Sequence, residues 1–196
     1  MLFPFVKDCI KKLSEDRQVF HSEADFQHAL AWKIREEDKD LEIRLEKGVP
    51  IDGGFKHIDI WLTKTETKTK RKINFLIELK YKKKKFYHES KKGEIFNLPT
   101  QGARDSGCFD FFNDVLRIEK LIQQNKDTWG AAIFLTNENL YMDGTLPGYK
   151  GSRAEEIKLS GSYILKWKPY SEVGDKKKTN RTFKWLGIKV SPNSTK

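Results

Sequence analysis

The sequence predicts an α/β fold in which helices cover a mixed β-sheet. Apolar residues recur at helical spacing near the start of the chain and again after residue 101, and strand-like alternation separates these two regions. A short, nearly continuous apolar run, Ala131–Thr136, follows the later helical region. Such a run is typical of a strand buried on both faces of a sheet. The order helix, three strands, helix, strand therefore predicts an α/β sandwich with a mixed sheet.

Composition indicates one globular domain spanning residues 1–196. The chain contains five Trp and thirteen Phe, which supply enough burial to exclude wholesale disorder. No repeat or Pro/Gly/Ser-rich linker divides it, and no apolar run approaches the length of a membrane span. Cys9 and Cys108 form neither a CxxC pair nor a zinc pattern with the four histidines. We therefore expect a cytoplasmic protein without a membrane partner.

Three segments are predicted to be helices. The first covers Leu2–Leu13. The second begins at Ser22, whose hydroxyl suits an N-cap, with Asp25 three residues later as in a capping box. Its apolar stripe consists of Phe26, Leu30 and Ile34. The third helix is predicted over Gln101–Gln124.

Three strands are predicted between the second and third helices. Leu41–Leu45 alternates apolar and charged residues, and His57–Leu62 and Ile73–Tyr81 alternate more strongly. The polar stretch Thr63–Lys72 joins the last two and predicts an antiparallel hairpin with a basic loop. Two later strand candidates are Tyr163–Trp167 and Phe183–Val190.

The positive charge is concentrated in one part of the chain. The net charge is +10, and residues 63–92 contain 12 basic and 3 acidic residues, which amounts to +9. Two interpretations stay open: a solvated surface, or a patch that binds the phosphates of nucleic acid by displacing counterions. The candidate phosphate contacts, including one on the third helix, are Arg71, Lys72, Lys82, Lys83, Lys84, Lys85 and Arg104.

Two carboxylates and an amine are predicted to converge on one side of the sheet. Glu78 and Lys80 lie two residues apart in the strongest apolar strand, so they share a face. Asp59 lies in the neighbouring strand of the predicted hairpin. Ionised groups in such strands are costly unless they are paired or bind a metal, and a divalent cation requires converging oxygen ligands. The alternative is a structural ion pair of Lys80 with Glu78 or Asp59.

Two helices supply further candidates. Glu23 lies three residues before Phe26 and seven before Leu30, so it continues the buried stripe and can point towards the metal. Alternatively, it only interacts with the helix dipole. Gln101 and Arg104 are one helical turn apart near the start of the third helix. They would hold a phosphate or an attacking water, or simply cap and solvate the helix.

The motif Asp59-x(18)-Glu78-Leu79-Lys80, preceded by a glutamate-bearing helix, resembles the PD-(D/E)XK nuclease superfamily, which has the restriction-endonuclease-like fold. The order α-β-β-β-α-β is the common core of that family. The resemblance covers about residues 22–137 and leaves a β-rich extension over about residues 138–196. It implies a three-layer core with a mixed sheet flanked by helices.

Two positions depart from patterns in that family. Ile58 occupies the place where many members carry a proline before the first acid. Gln101 falls where some branches carry a Q-x-x-x-Y helix, and Asp105 stands at the place of the tyrosine. The sequence is therefore not assigned to that branch.

The resemblance implies a Mg²⁺ cofactor, which Mn²⁺ would replace. Its ligands would be Asp59, Glu78 and the backbone carbonyl of Leu79, with Glu23 as a further ligand. Lys80 would position the attacking water, and Gln101 would assist in the same site.

The expected function is hydrolysis of phosphodiester bonds in nucleic acid, with DNA favoured over RNA, in restriction, phage defence or repair. A homodimer is compatible with this function, because cutting both strands of a duplex often requires two active sites. The alternative is a non-catalytic basic nucleic-acid-binding protein, or a subunit of a nucleic-acid-processing complex, in which the acids and Lys80 form ion pairs.

Overall fold

The sheet is mixed and has helices on both faces, as predicted. A computed structural model describes residues 2–101, 104–142, 156–174 and 181–192. Helices α1 (Leu2–Asp16) and α2 (Glu23–Glu37) contribute to the core on one face of the sheet. Helix α3 (Arg104–Gln124) contributes to the core on the other. The three-layer α/β core expected from the sequence is therefore confirmed.

Six strands form the main sheet and two form a separate hairpin. In chain order they are β1 (Glu42–Ile51), β2 (Gly54–Thr65), β3 (Lys72–Lys82), β4 (Phe86–Glu89), β5 (Ile95–Leu98), β6 (Thr128–Thr136), β7 (Lys168–Glu172) and β8 (Thr182–Val190). The main sheet has the order β1-β2-β3-β6-β8-β7, and β4 pairs with β5. Strands β3 and β6 are parallel, whereas the other neighbours are antiparallel. A short 3-10 helix (Asn139–Tyr141) follows β6.

The second helix begins as the capping pattern predicts. The Ser22 hydroxyl accepts a hydrogen bond from the Asp25 amide at 3.1 Å and so satisfies one of the free N–H groups of the first turn. The apolar stripe of α2 is buried against the sheet. Together, the cap and this stripe fix the start of α2, where Glu23 is the first helical residue.

Strand β3 has the two faces that the alternation predicts. Its residues Phe75, Ile77, Leu79 and Tyr81 belong to the core beneath α1 and α2. Glu78 and Lys80 lie on the opposite face and pair with residues of α3. Backbone pairing between β2 and β3 runs from Thr65–Lys72 to Ile60–Ile77 and does not continue past that last pair.

One predicted strand is wrong. Residues 163–167 lie within the described part of the chain and form no strand, and β7 begins immediately after them. Tyr163, Leu165 and Trp167 pack against the core beneath α3, while Ile164 is 89% exposed. The alternation thus reflects one-sided packing of a segment that has no neighbouring strand, within the described ranges, to supply ladder hydrogen bonds.

Other boundaries differ from the prediction. Gln101 precedes α3 instead of lying within it, and the β4–β5 hairpin was not predicted. The first strand continues to Ile51, well past the predicted end. The C-terminal strands β7 and β8 are part of the main sheet, because β8 pairs directly with β6. None of the helices in the described ranges is long and apolar enough to cross a bilayer.

Candidate active site between β2, β3 and α3

Asp59 lies where β2 and β3 cease to pair. Its Oδ2 atom accepts a hydrogen bond from the Leu79 amide at 2.6 Å, so a carboxylate continues the link between the strands beyond the backbone ladder. Its backbone carbonyl accepts a hydrogen bond from Nε2 of Gln27 on α2, also at 2.6 Å. Burial raises the pKa of Asp59 to about 6, although the Leu79 amide and Lys80 favour the ionised form.

Glu78 points from the middle of the sheet towards α3. Its side chain is 2% exposed, and its Oε1 atom lies 2.6 Å from a guanidinium nitrogen of Arg117. Burial raises the pKa of Glu78, and the negative charge of Asp114 raises it further, against the opposing effect of Arg117. Glu78 is therefore a buried acid whose negative charge is only partly compensated.

Lys80 forms ion pairs with acids on two helices. Its Nζ atom lies 2.8 Å from Oδ2 of Asp114 on α3 and 3.9 Å from Oε1 of Glu23 on α2. Burial by itself lowers the pKa of Lys80, but these two carboxylates raise it above its usual value, so the side chain stays cationic. The predicted pairing of Lys80 with Glu78 or Asp59 is not found, although the structure describes both of these acids.

Glu23 points inward from the first turn of α2. Its Oε2 atom accepts a hydrogen bond from the Tyr81 amide at 2.7 Å, and its other oxygen faces Lys80. The positive end of the helix dipole also favours a carboxylate at this position. Glu23 is thus a first-turn acid that also contacts Lys80 and the backbone of β3.

Two residues of the cluster, Asp114 and Arg117 on α3, were not predicted from the sequence. Asp114 is 3% exposed, and its Oδ1 atom lies 3.2 Å from Arg117. It falls three residues after Phe111 and four before Ile118, both of which are buried. An acid within the apolar stripe of an amphipathic helix was the signal that could have found it.

The cluster carries a surplus of negative charge. It contains four acids, Glu23, Asp59, Glu78 and Asp114, and two cations, Lys80 and Arg117. Four negative charges against two positive charges leave −2 when all groups are ionised. This is the charge that one divalent cation would neutralise.

The proposed ligands suit Mg²⁺ in their chemistry, but all three already contact other groups of the protein. Carboxylate oxygens and a backbone carbonyl are the ligands that this hard cation prefers. In the described ranges, no three His, Cys, Asp or Glu side chains are already arranged to hold a metal. Glu78 pairs with Arg117, Asp59 accepts from the Leu79 amide, and the Leu79 carbonyl accepts from Lys80 Nζ at 3.4 Å. A Mg²⁺ ion held by Asp59, Glu78 and the Leu79 carbonyl would therefore have to replace these contacts.

Gln101 and Lys83 are joined by two hydrogen bonds. The Gln101 amide donates to the Lys83 carbonyl at 2.8 Å, and the Lys83 amide donates to the Gln101 side-chain oxygen at 3.1 Å. The Lys83 ammonium is buried and donates to the His21 carbonyl at 2.7 Å. These contacts give both residues a structural role at the exit of β3.

The remaining basic candidates fall into separate groups. Lys84 pairs with Glu138 at 3.3 Å, whereas Lys82 is partly buried and Lys85 is exposed. Arg104 begins α3, and its side chain lies outside the described residues.

Arg71 and Lys72 lie at the far end of the hairpin from the acids. Arg71 pairs with Asp127, and Lys72 begins β3 six residues before Glu78. At about 3.3 Å per residue this places the Lys72 backbone roughly 20 Å from Glu78. The structure therefore brings the acids and Lys80 together but does not gather all the basic candidates around them.

Comparisons with models of protein families, with curated proteins and with solved structures found no match.

Proposed function

We propose that this protein is a Mg²⁺-dependent nuclease of the PD-(D/E)XK type that hydrolyses phosphodiester bonds in DNA. The observation that carries the proposal is the convergence of the acid cluster with Lys80 at the point where β2 and β3 separate. Buried carboxylates in excess of their cations are costly in a protein without a cation to bind. A catalytic metal site would explain why the chain keeps them.

The residues take distinct roles in this proposal. Asp59, Glu78 and the Leu79 carbonyl would hold Mg²⁺, which when bound lowers the pKa of a water and stabilises negative charge on a phosphate. Lys80 would orient the attacking water and stabilise the charge that develops on the phosphate. Glu23 contacts both Lys80 and the backbone of β3, so it would position the lysine.

A second candidate is a non-catalytic nucleic-acid-binding protein. It is favoured by the net charge of +10 and by the fact that Glu78 and Lys80 each have an ion-pair partner on α3. In that case the cluster would be a buried ion-pair network that fixes α3 on the sheet. Such a network predicts no dependence on a divalent cation.

A cleavage assay separates the two functions. Purified protein is incubated with plasmid, linear duplex, single-stranded DNA and RNA, each in Mg²⁺, Mn²⁺ or EDTA. The nuclease cuts DNA in Mg²⁺ or Mn²⁺ and not in EDTA, and Lys80→Ala loses this activity. Lys39→Ala serves as the matched control, because Lys39 is exposed in the turn after α2. Failure of the wild-type protein to cut any substrate in Mn²⁺ would overturn the proposal.

A further inference from the structure

A cleft adjoins the acid cluster between α3 and the β1–β2 hairpin. Its volume is about 340 Å³, and its polar lining comes from Asn113, Arg117 and Lys120 on α3 and from Asp52 and Lys56 at the hairpin. The cleft is connected to the cluster through Arg117, which lines the cleft and whose guanidinium pairs with Glu78.

The charge of the cleft is opposite to that of the acid cluster. Lys56 and Lys120 contribute two positive charges and Asp52 contributes one negative charge, which leaves +1; Arg117, whose charge is already counted with the acid cluster, also lines the cleft. Lys120 pairs with Asp52, and both of these side chains are substantially exposed. Exposed pairs of this kind contribute little and exchange readily for another anion. Arg117 is held by Glu78 and Asp114, whereas Lys56 pairs with no acid among the described residues. An anion entering the cleft would thus meet the Lys56 ammonium directly and would compete with these two acids for Arg117.

We propose that this cleft binds a phosphate group of the nucleic-acid strand, adjacent to the bond that is cut. The proposal rests on the proposed nuclease function and names the subsite that positions its substrate. A guanidinium suits a phosphate because its N–H groups form a fork that matches two phosphate oxygens, and ammonium groups add point charges. Asn113 provides an amide that can donate a further hydrogen bond.

Arg117 links this phosphate subsite to Glu78. Its NH1 atom lies 2.6 Å from Glu78 Oε1, and its NH2 atom lies 3.2 Å from Asp114 Oδ1. A phosphate that engages Arg117 competes with Glu78 for the same guanidinium and so frees a carboxylate oxygen to face the metal. Binding of the strand and of Mg²⁺ therefore favour each other, and this coupling must be reciprocal.

The first test measures equilibrium binding of a short labelled DNA duplex in EDTA over a range of salt concentrations. Lys56→Gln removes one positive charge from the cleft, and Lys56→Arg keeps that charge. The control, Lys39→Gln, removes an exposed positive charge near the opposite end of the sheet, where Asp38 pairs with Lys64. We expect Lys56→Gln to weaken binding and to lower the log–log salt slope by about 0.9, as for one lost phosphate contact. Lys56→Arg should retain the wild-type slope. Equal slopes for Lys56→Gln and Lys39→Gln would overturn the subsite.

The second test measures Mg²⁺ binding by calorimetry with and without the duplex, in a Lys80→Ala background that does not cut. We expect the duplex to increase Mg²⁺ affinity, and Lys56→Gln to reduce this increase. Mg²⁺ affinity that is the same with and without the duplex would refute the coupling through Arg117.

Wild-type cleavage is assayed in parallel so that the two proposals can fail separately. Cleavage by the wild type combined with no effect of Lys56→Gln rejects the subsite and leaves the nuclease. A lowered salt slope in Lys56→Gln combined with no cleavage by the wild type supports the phosphate site and rejects the nuclease.

Discussion

Replacing Asp59 with asparagine should stabilise the metal-free protein at neutral pH. Burial raises the pKa of Asp59 from 3.8 to about 6, which means that folding opposes its ionisation. This difference corresponds to about 3 kcal/mol in the free energy of unfolding. Asparagine resembles the protonated acid in shape and still offers an oxygen to the Leu79 amide. Asp59→Asn should therefore gain up to about 3 kcal/mol above pH 6.

Because the pKa of Asp59 is raised by folding, the stability difference between the wild type and Asp59→Asn depends on pH. The cost of ionising Asp59 is absent below about pH 4, increases between about pH 4 and about pH 6, and is complete above that range. Stability of the wild type relative to Asp59→Asn should accordingly fall as the pH rises through this window. Urea denaturation in EDTA at several pH values measures the difference.

Magnesium provides the second half of the same experiment. Added Mg²⁺ should raise the stability of the wild type, because a ligand that binds only the folded state stabilises it. It should not do so for Asp59→Asn, since an amide is a poorer ligand than a carboxylate for this cation. If Asp59→Asn is less stable than the wild type in EDTA at neutral pH, the reasoning from burial is refuted and Asp59 acts as a structural anion.

Three further variants test other parts of the site and the fold. Lys80→Ala should lower the cleavage rate by about 10²–10⁴-fold, with Mg²⁺ binding retained in calorimetry; unchanged cleavage would remove Lys80 from the mechanism. Glu23→Gln should lower the cleavage rate at saturating Mg²⁺ while circular dichroism stays unchanged, because Glu23 positions Lys80. An unchanged rate would leave Glu23 with a structural role only. Gly130→Ala should lower the free energy of unfolding, measured by urea denaturation, by about 1–3 kcal/mol. The reason is that the added Cβ would lie 2.5 Å from Ile118 Cγ2 and 3.0 Å from the Leu76 carbonyl oxygen. A variant as stable as the wild type would mean that α3 can move away from β6.

The local patterns of the chain predicted the parts of the fold that depend on neighbouring residues. Alternation over β3 correctly placed Glu78 and Lys80 on one face and Leu79 on the other. Ser22 correctly marked the start of α2, because capping is a contact between residues three positions apart. The same reasoning failed over residues 163–167, because alternation reports one-sided burial and not whether a strand has a partner.

The partners of the charged residues could not be predicted in this way. Lys80 pairs with Asp114, 34 positions along the chain, and Glu78 pairs with Arg117, 39 positions along it. Lys83 belongs to the most basic run of the sequence, yet its ammonium is buried against the His21 carbonyl. Charge counted along the chain contains no information on which side chains another element will cover.

The sequence by itself determined the order of the main helices and strands, the faces of β3, and the set Asp59, Glu78, Lys80 and Glu23 as candidates. Only the tertiary structure decided that these side chains converge, that α3 supplies Asp114 and Arg117, and that a basic cleft lies beside them. The physical reason is that periodicity and capping are set by bonds between near neighbours, whereas the pKa values and ion pairs depend on burial and on charges brought together from distant segments.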